Sequence, residues 1–295
     1  MSLVKIEEGY MPFHEFKTYY RIVGERTPGK APLLLIHGGP GSSHNYFELL
    51  DDYADTGRQL IMYDQVGCGL SSQPEDEKWY VKETWAEELI ALRQYLHLDD
   101  IHMLGQSWGG MLEMFYLTHY DQTGIRSVMI DGSPASIKLW TQEQHRLIQY
   151  LSYEDRQAIA EAERTGDFTG AQYLAANERY MAAYCWDTPT ADSPEPMRRP
   201  THGQRASYIA EGPNEFTENG TLSDYDVTDD LHKIHVPTLV TNGTDDLCTP
   251  LIAKSVYDHI PGAKWHLFAN SRHLALLDQP AEFRQVLDDW LTAND

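Results

Sequence analysis

The sequence predicts an α/β fold, a mostly parallel central sheet with helices on both faces and an inserted helical segment. Three observations predict it. Short apolar runs alternate with stretches of helical spacing; the alternation stops between 136 and 229; it resumes beyond 230 in the same form. Continuous apolar strands separated by helices belong to a sheet covered on both faces. The 295 residues therefore divide into a core, 1–135 with 230–295, and a helical segment, 136–229.

In chain order, the segment around Ile6–Phe13 and "FKTYYRIVGE" (Phe16–Glu25) read as a hairpin. The next strands are "PLLLIHG" (Pro32–Gly38), "QLIMYDQ" (Gln59–Gln65), "IHMLGQS" (Ile101–Ser107) and "SVMIDGS" (Ser127–Ser133). "SSHNYFELLDDYA", "ETWAEELIALRQYLHL" and "WGGMLEMFYLTHY" carry helical spacing between them. Within the inserted segment, a helix starts at Ser152, with Asp155 three residues on, and stops at Gly166. A second starts at Thr169 with Gln172, and its apolar stripe is Tyr173, Leu174, Tyr180, Met181 and Tyr184. The Pro-rich loop "TPTADSPEPMRRP" follows. After Lys233 come strand "PTLVTNG", helix "LIAKSVYDHI", strand "AKWHLFA" and helix "AEFRQVLDDWL". The insertion leaves from a strand end, where parallel sheets hold their ligands. It is expected to cap the site rather than form an independent domain, because both its ends return to one sheet pattern.

The bulk numbers bound the partners. A 41% hydrophobic fraction supports a sizeable core, and a net charge of −22 argues against nucleic acid and anionic membrane surfaces. That charge favours cationic ligands. Three cysteines, Cys68, Cys185 and Cys248, with no CxxC, suggest neither a disulfide framework nor a zinc site. "MSLVKIEEGYMPF" lacks the apolar core of a signal peptide, and no run approaches the ~18 apolar residues of a membrane span. The expected location is the cytoplasm.

"GQSWG" (Gly105–Gly109) matches G-x-S-x-G with a strand before it and a helix after it, the context in which Ser107 is held out on a sharp turn. A serine nucleophile needs an oxyanion hole, a base and an orienting carboxylate. "HGGPG" (His37–Gly41) follows the first parallel strand, so the backbone N–H groups of Gly39 and Trp108 are the candidate oxyanion donors. For the acid, Asp245 and Asp246 follow strand "PTLVT", and Asp131 follows the strand before it. Of thirteen histidines, His273 lies after the last strand and before the last helix, which gives the chain order Ser, Asp, His. His259 and His266 fall inside elements, and His37 and His44 flank the oxyanion loop in structural roles. "DQVGCG" (Asp64–Gly69) reads as a structural loop bordering the site, and Cys68 and Cys248 are expected at the cleft.

With these motifs in view, the sequence resembles an α/β-hydrolase, and more narrowly the proline iminopeptidases. The resemblance covers almost the whole chain through "LLLIHGGPGSSHNYF", "IMYDQVGCGLSS", "LGQSWGGM", "GPNEFTENGTL", "GTDDLCTP" and "SRHLALLDQP". It implies Ser107 as nucleophile and His273 as base. It implies Asp246 as the acid, because Gly243 and Pro250 fix the register of G-x-x-D-x-x-x-P. It also implies that Glu215, in GP[SN]EF, grips the free amino group of the substrate. Two positions depart from the family pattern: Leu247 stands where many members carry a second acid, and Arg272 where glycine usually precedes the histidine.

The resemblance implies an aminopeptidase that releases N-terminal residues, proline by preference, from short peptides with a free N-terminus. No metal or organic cofactor is implied. An amino-acid amidase or carboxylesterase on the same residues is the enzymatic alternative, and a hydrolase-like small-molecule receptor the non-enzymatic one. Activity is expected to fall as His273 protonates, near the ordinary value of ~6.5.

Overall fold

The computed structural model describes residues 4–295. The N-terminal stretch read for a leader begins in residues 1–3, which lie outside the described residues. Eight strands form one sheet: β1 (Ile6–Phe13), β2 (Phe16–Val23), β3 (Leu33–Ile36), β4 (Leu60–Tyr63), β5 (Ile101–Gln106), β6 (Ile125–Asp131), β7 (Thr238–Gly243) and β8 (Lys264–Phe268). Their order is β1-β2-β4-β3-β5-β6-β7-β8. β1 and β2 form the expected antiparallel hairpin, β2 meets β4 antiparallel, and the other pairs are parallel.

Alternate residues of the central strands feed two cores, as the pleat requires. Leu34, Ile36, Ile61 and Tyr63 join Trp85, Leu112 and Ile252 on one face. Leu33, Leu35, Leu60 and Met62 join Phe47, Leu50, Leu287 and Leu291 on the other. Burying one such leucine is worth about 1.5–3 kcal/mol, so each strand is committed to both layers. The covering helices are α1 (Lys82–Tyr95), α2 (Trp108–His119), α8 (Pro250–His259) and α10 (Pro280–Ala293), with the short α9 (Ala275–Asp278) before the last.

The inserted segment holds α3 (Ile137–Ile148), α4 (Tyr153–Thr165), α5 (Ala171–Tyr184), α6 (Glu195–Arg198) and α7 (Gln204–Ala210). Trp140, Tyr173, Tyr180 and Phe216 belong to the same buried cluster as the sheet face below them. Among the described residues, no helix is long and apolar enough to cross a membrane.

Three local expectations differ from the structure. His44–Thr56 is a 3-10 helix rather than an α-helix. Its buried His44, Phe47, Leu50 and Tyr53 recur every third residue, which suits three residues per turn. Ser152 caps α4 as expected, its side chain accepting from the Asp155 N–H, and Gly166 closes that helix in the left-handed conformation. Thr169 does not cap α5; Gly170 does. The Asp167 carboxylate takes both the N–H and the hydroxyl of Thr169 (2.9 and 2.6 Å), a local turn that competes with the cap. Leu174 leaves the predicted stripe and is exposed.

Candidate active site

β5 ends in the turn the motif requires. Ser107 sits at φ 56°, ψ −123°, a conformation rare for a side chain larger than hydrogen. Its N–H donates to Asp131 O (2.8 Å), which ties the turn to the next strand. The flanking glycines are obligatory: a Cβ on Gly105 would stand 2.4 Å from Gly109 O, and one on Gly109 2.0 Å from Ile36 O. Trp108 opens α2 directly after this turn, and its buried indole donates to Gln65 Oε1 (2.7 Å).

Ser107, Gly39, Glu215 and His273 line one cavity of about 190 Å³, small beside the ~300–1,000 Å³ of drug-sized sites. Gly39 holds φ 105°, a left-handed setting natural to glycine. The loop before it is fixed from below. Tyr46 Oη accepts from Gly38 N (2.9 Å) and donates to Gln106 Oε1 (3.1 Å), while Gln106 Nε2 donates to His273 O (3.2 Å). Gln106 and Tyr46 therefore couple the glycine loop to the histidine loop.

Of the three candidate acids, geometry pairs one with the base. Asp246 Oδ1 lies 2.6 Å from His273 Nδ1. The same carboxylate accepts from Gly243 N (3.0 Å) and Cys248 N (2.7 Å). Asp245 is exposed and bonds Thr244. Asp131 is buried, accepts from Thr241 Oγ1 (2.6 Å), and burial pushes its carboxyl up to about 7. For His273, burial works against the charged form, but the charges of Asp246, Glu215 and Asp131 outweigh it and raise the imidazole above 6.5. The acid limb expected near ~6.5 therefore moves upward. Ser107 and His273 share the cavity without a hydrogen bond between them among the described residues, a looseness common in active sites before substrate binds.

The other histidines lie elsewhere. His259 ends α8 and is exposed, and His266 on β8 pairs with Glu282 of α10 (3.0 Å). His37 is buried, with Nδ1 donating to Gly38 O and Nε2 accepting from Gln65 N. His44 contacts Asp64 (2.7 Å) and Glu48 (3.2 Å); burial opposes its charge, yet these carboxylates raise it to about 9, so it is a cation.

Glu215 reaches the cavity from the inserted segment, its backbone carbonyl accepting from Trp140 Nε1 (2.9 Å). The sequence missed its company. Carboxylate oxygens of Glu211, Glu215 and Glu218 all lie within 4.8 Å of one another. Glu218 Oε2 is buried without a hydrogen-bond partner. Burial raises all three carboxyls; mutual repulsion adds to this for Glu211 and Glu218, and the nearby His273 lowers Glu215 somewhat. Such a group attracts a cation. Leu247, in place of a second acid, is fully buried in the apolar core.

Arg272 ties the histidine loop to both parts of the chain. It bonds Asp278 through Nε (3.1 Å) and Nη2 (2.9 Å), and its Nη1 donates to Ala182 O in α5 (2.8 Å). The expected cleft cysteines need correction. Cys68 and Cys248 are fully buried and absent from the cavity wall, which Cys185 lines instead. The Cys248 backbone N–H donates to Asp246 Oδ1 (2.7 Å).

A sheet of this order with a serine on the β5 turn and a histidine–aspartate pair at neighbouring strand ends defines an α/β hydrolase, and the alpha/beta hydrolase fold family matches residues 31–280. Similarity narrows the class. The chain is 81% identical to a proline iminopeptidase of Lacticaseibacillus rhamnosus, covering 99% of this chain and 100% of that one. It is 52% identical to one of Clostridioides difficile, with the same coverage. The crystal structure of a Mycobacterium smegmatis proline iminopeptidase superposes with a TM-score of 0.88 at 32% identity, covering 98% of both chains. This chain belongs to the proline iminopeptidase family.

Proposed function

We propose that the chain is a serine aminopeptidase that releases N-terminal residues, preferentially proline, from short peptides. The observation that carries the reading is one cavity wall holding Ser107, His273 and the Glu215 carboxylate, with His273 bonded to Asp246 behind it. Its relatives, named proline iminopeptidases, support the same activity. Ser107 Oγ attacks the first peptide carbonyl, and His273 Nε2 accepts its proton. Asp246 holds Nδ1–H and stabilises the imidazolium. The N–H groups of Gly39 and Trp108 receive the tetrahedral oxyanion. His273 then protonates the leaving amine, and water activated by the same base clears the acyl-enzyme.

Glu215 takes the substrate ammonium, and the bound cation would ease the crowding of Glu211 and Glu218 behind it. In this reading the segment 136–229 is a cap that closes the cavity over short chains. Three unpaired cysteines suit a reducing cytoplasm.

A panel of aminoacyl-arylamides with free and acetylated amines tests the reading. Fast release from the free prolyl substrate and little from its acetylated form are expected. Equal cleavage of both forms points instead to an amidase or esterase.

A further inference from the structure

The cavity carries one carboxylate and, among the described residues that line it, one Lys or Arg side chain, Arg199. Glu215 comes from beside α3, through its bond to Trp140, and its neighbour Phe216 packs on Tyr180 of α5. Arg199 comes from the other part of the inserted segment, just past α6, and is anchored to the 3-10 helix after β3. The two charges thus enter the cavity from different supports.

The guanidinium is only partly used. Nη2 donates to Glu48 (2.7 Å). Nε is buried with no hydrogen-bond partner among the described residues, and the exposed Glu195 lies 3.2 Å from it. Nη1 bonds to none of the described residues. Glu48 itself is shared, since it also contacts His44 (3.2 Å) and lies 4.0 Å from Arg21. Nη1, beside Nη2 in the planar guanidinium, therefore remains for a further anion. This stands out in a protein of net charge −22, whose overall field repels anions.

We propose that Arg199 binds the C-terminal carboxylate of a dipeptide substrate, so that the site reads both ends of a zwitterion. The proposal rests on the aminopeptidase reading above and deepens it. Glu215 takes the ammonium, the scissile carbonyl lies over Ser107, and the leaving residue carries its carboxylate to Arg199. The small cavity suits a substrate of this length. Dipeptides with a free carboxylate then become the preferred class over peptides blocked or extended at that end.

The test compares H-Pro-Ala-OH with H-Pro-Ala-NH2, which differ only in the terminal charge. For the wild type, kcat/KM for the acid should exceed that for the amide by about tenfold or more, the worth of one charge-assisted hydrogen bond. In Arg199→Gln the ratio should fall to one or below, because the remaining field disfavours the anion. Arg199→Lys, which keeps the charge without the fork, should lie between. Using a ratio within each protein removes any loss of active enzyme, and Arg199→Lys serves if the glutamine variant does not fold. A wild-type ratio of one, or a high ratio that survives in Arg199→Gln, overturns the assignment while leaving the aminopeptidase reading intact. Failure of the wild type to cleave any prolyl substrate, the arylamide included, overturns the parent reading and the Arg199 assignment with it.

Discussion

The strand-end loops and the inserted segment treat charge in opposite ways. At the strand ends, Asp246 is fully compensated by two backbone N–H groups and His273. In the inserted segment, three carboxyls crowd together and Glu218 Oε2 has no hydrogen-bond partner among the described residues. The first arrangement is complete before substrate arrives and costs nothing to reorganise during reaction. The second crowds carboxyls whose charged forms burial and repulsion disfavour, a cost that in the proposed reading a substrate ammonium would relieve. In the proposed function the sheet makes and breaks bonds and the insertion recognises substrate, and this contrast can be broken at either end.

The largest effect belongs to the sheet. Ser107→Ala should fold normally and lose turnover by at least about ten-thousandfold. Asp246→Asn should approach that loss, because an amide cannot hold His273 in the proton-accepting tautomer. Asp131→Asn should cost far less, since that carboxyl bonds Thr241 rather than His273 and burial disfavours its charged form. Steady-state kinetics on a prolyl arylamide with folding checked by circular dichroism decides the matter. A dead but folded Asp131→Asn beside an active Asp246→Asn would reverse the assignment of the acid.

The insertion should show a smaller, substrate-dependent effect. Glu215→Gln removes one charge-assisted hydrogen bond to the ammonium, about 1.5–3 kcal/mol, or tenfold to over a hundredfold in kcat/KM. A simple acetate ester carries no ammonium and should be hydrolysed at nearly the wild-type rate. Equal losses on both substrates would make Glu215 a strut of the insertion rather than a recognition group. Glu218→Gln should weaken the free-amine substrate less than Glu215→Gln, because Glu218 does not line the cavity.

pH separates the two regions with one enzyme. His273 must be neutral to accept the Ser107 proton, and its raised pKa means the neutral form is lost as pH falls through a value above 6.5. This limb should appear on esters and peptides alike. The Glu211, Glu215 and Glu218 carboxyls are also raised, so falling pH protonates them and removes the attraction for ammonium. That loss should appear as a rise in KM for free-amine substrates and leave the ester KM flat. Identical pH profiles for the two substrate types would remove the distinction between the regions.

What could be read from the sequence follows the same division. The turn at Ser107 was legible because only small neighbours permit that backbone, and Gly105 and Gly109 announce it. The strands were legible because burial on both faces leaves unbroken apolar runs. Glu211, Glu218 and Arg199 gave no local signal. Their meaning comes from three-dimensional convergence, and a glutamate in a helix-rich stretch looks like any solvated acid. Gln106 had a faint signal as the residue inside the elbow motif, but its bonds to Tyr46 and His273 span the fold. Proximity in sequence also misled: Cys248, two residues from Asp246, is fully buried and does not line the cavity.

The smallest expected effect tests that correction. Cys185 lines the cavity at the end of α5, whereas Cys68 and Cys248 are sealed beneath it. Burial pushes the Cys185 thiol well above its ordinary value, so little thiolate is present at neutral pH and reaction with maleimides should be slow. Removing the thiol in Cys185→Ala takes away no charge or needed hydrogen bond, and kcat/KM should stay within about threefold, under ~1 kcal/mol. A bulky adduct on the wild-type thiol fills the space that substrate needs, so modification should still inhibit. Slow inhibition of wild type, with resistance in Cys185→Ala and unchanged sensitivity in Cys68→Ala and Cys248→Ala, is the pattern the cavity wall requires. Sensitivity that instead follows Cys248 would mean the loop bearing Asp246 opens in solution, and the completed, rigid character assigned to the strand ends would fail with it.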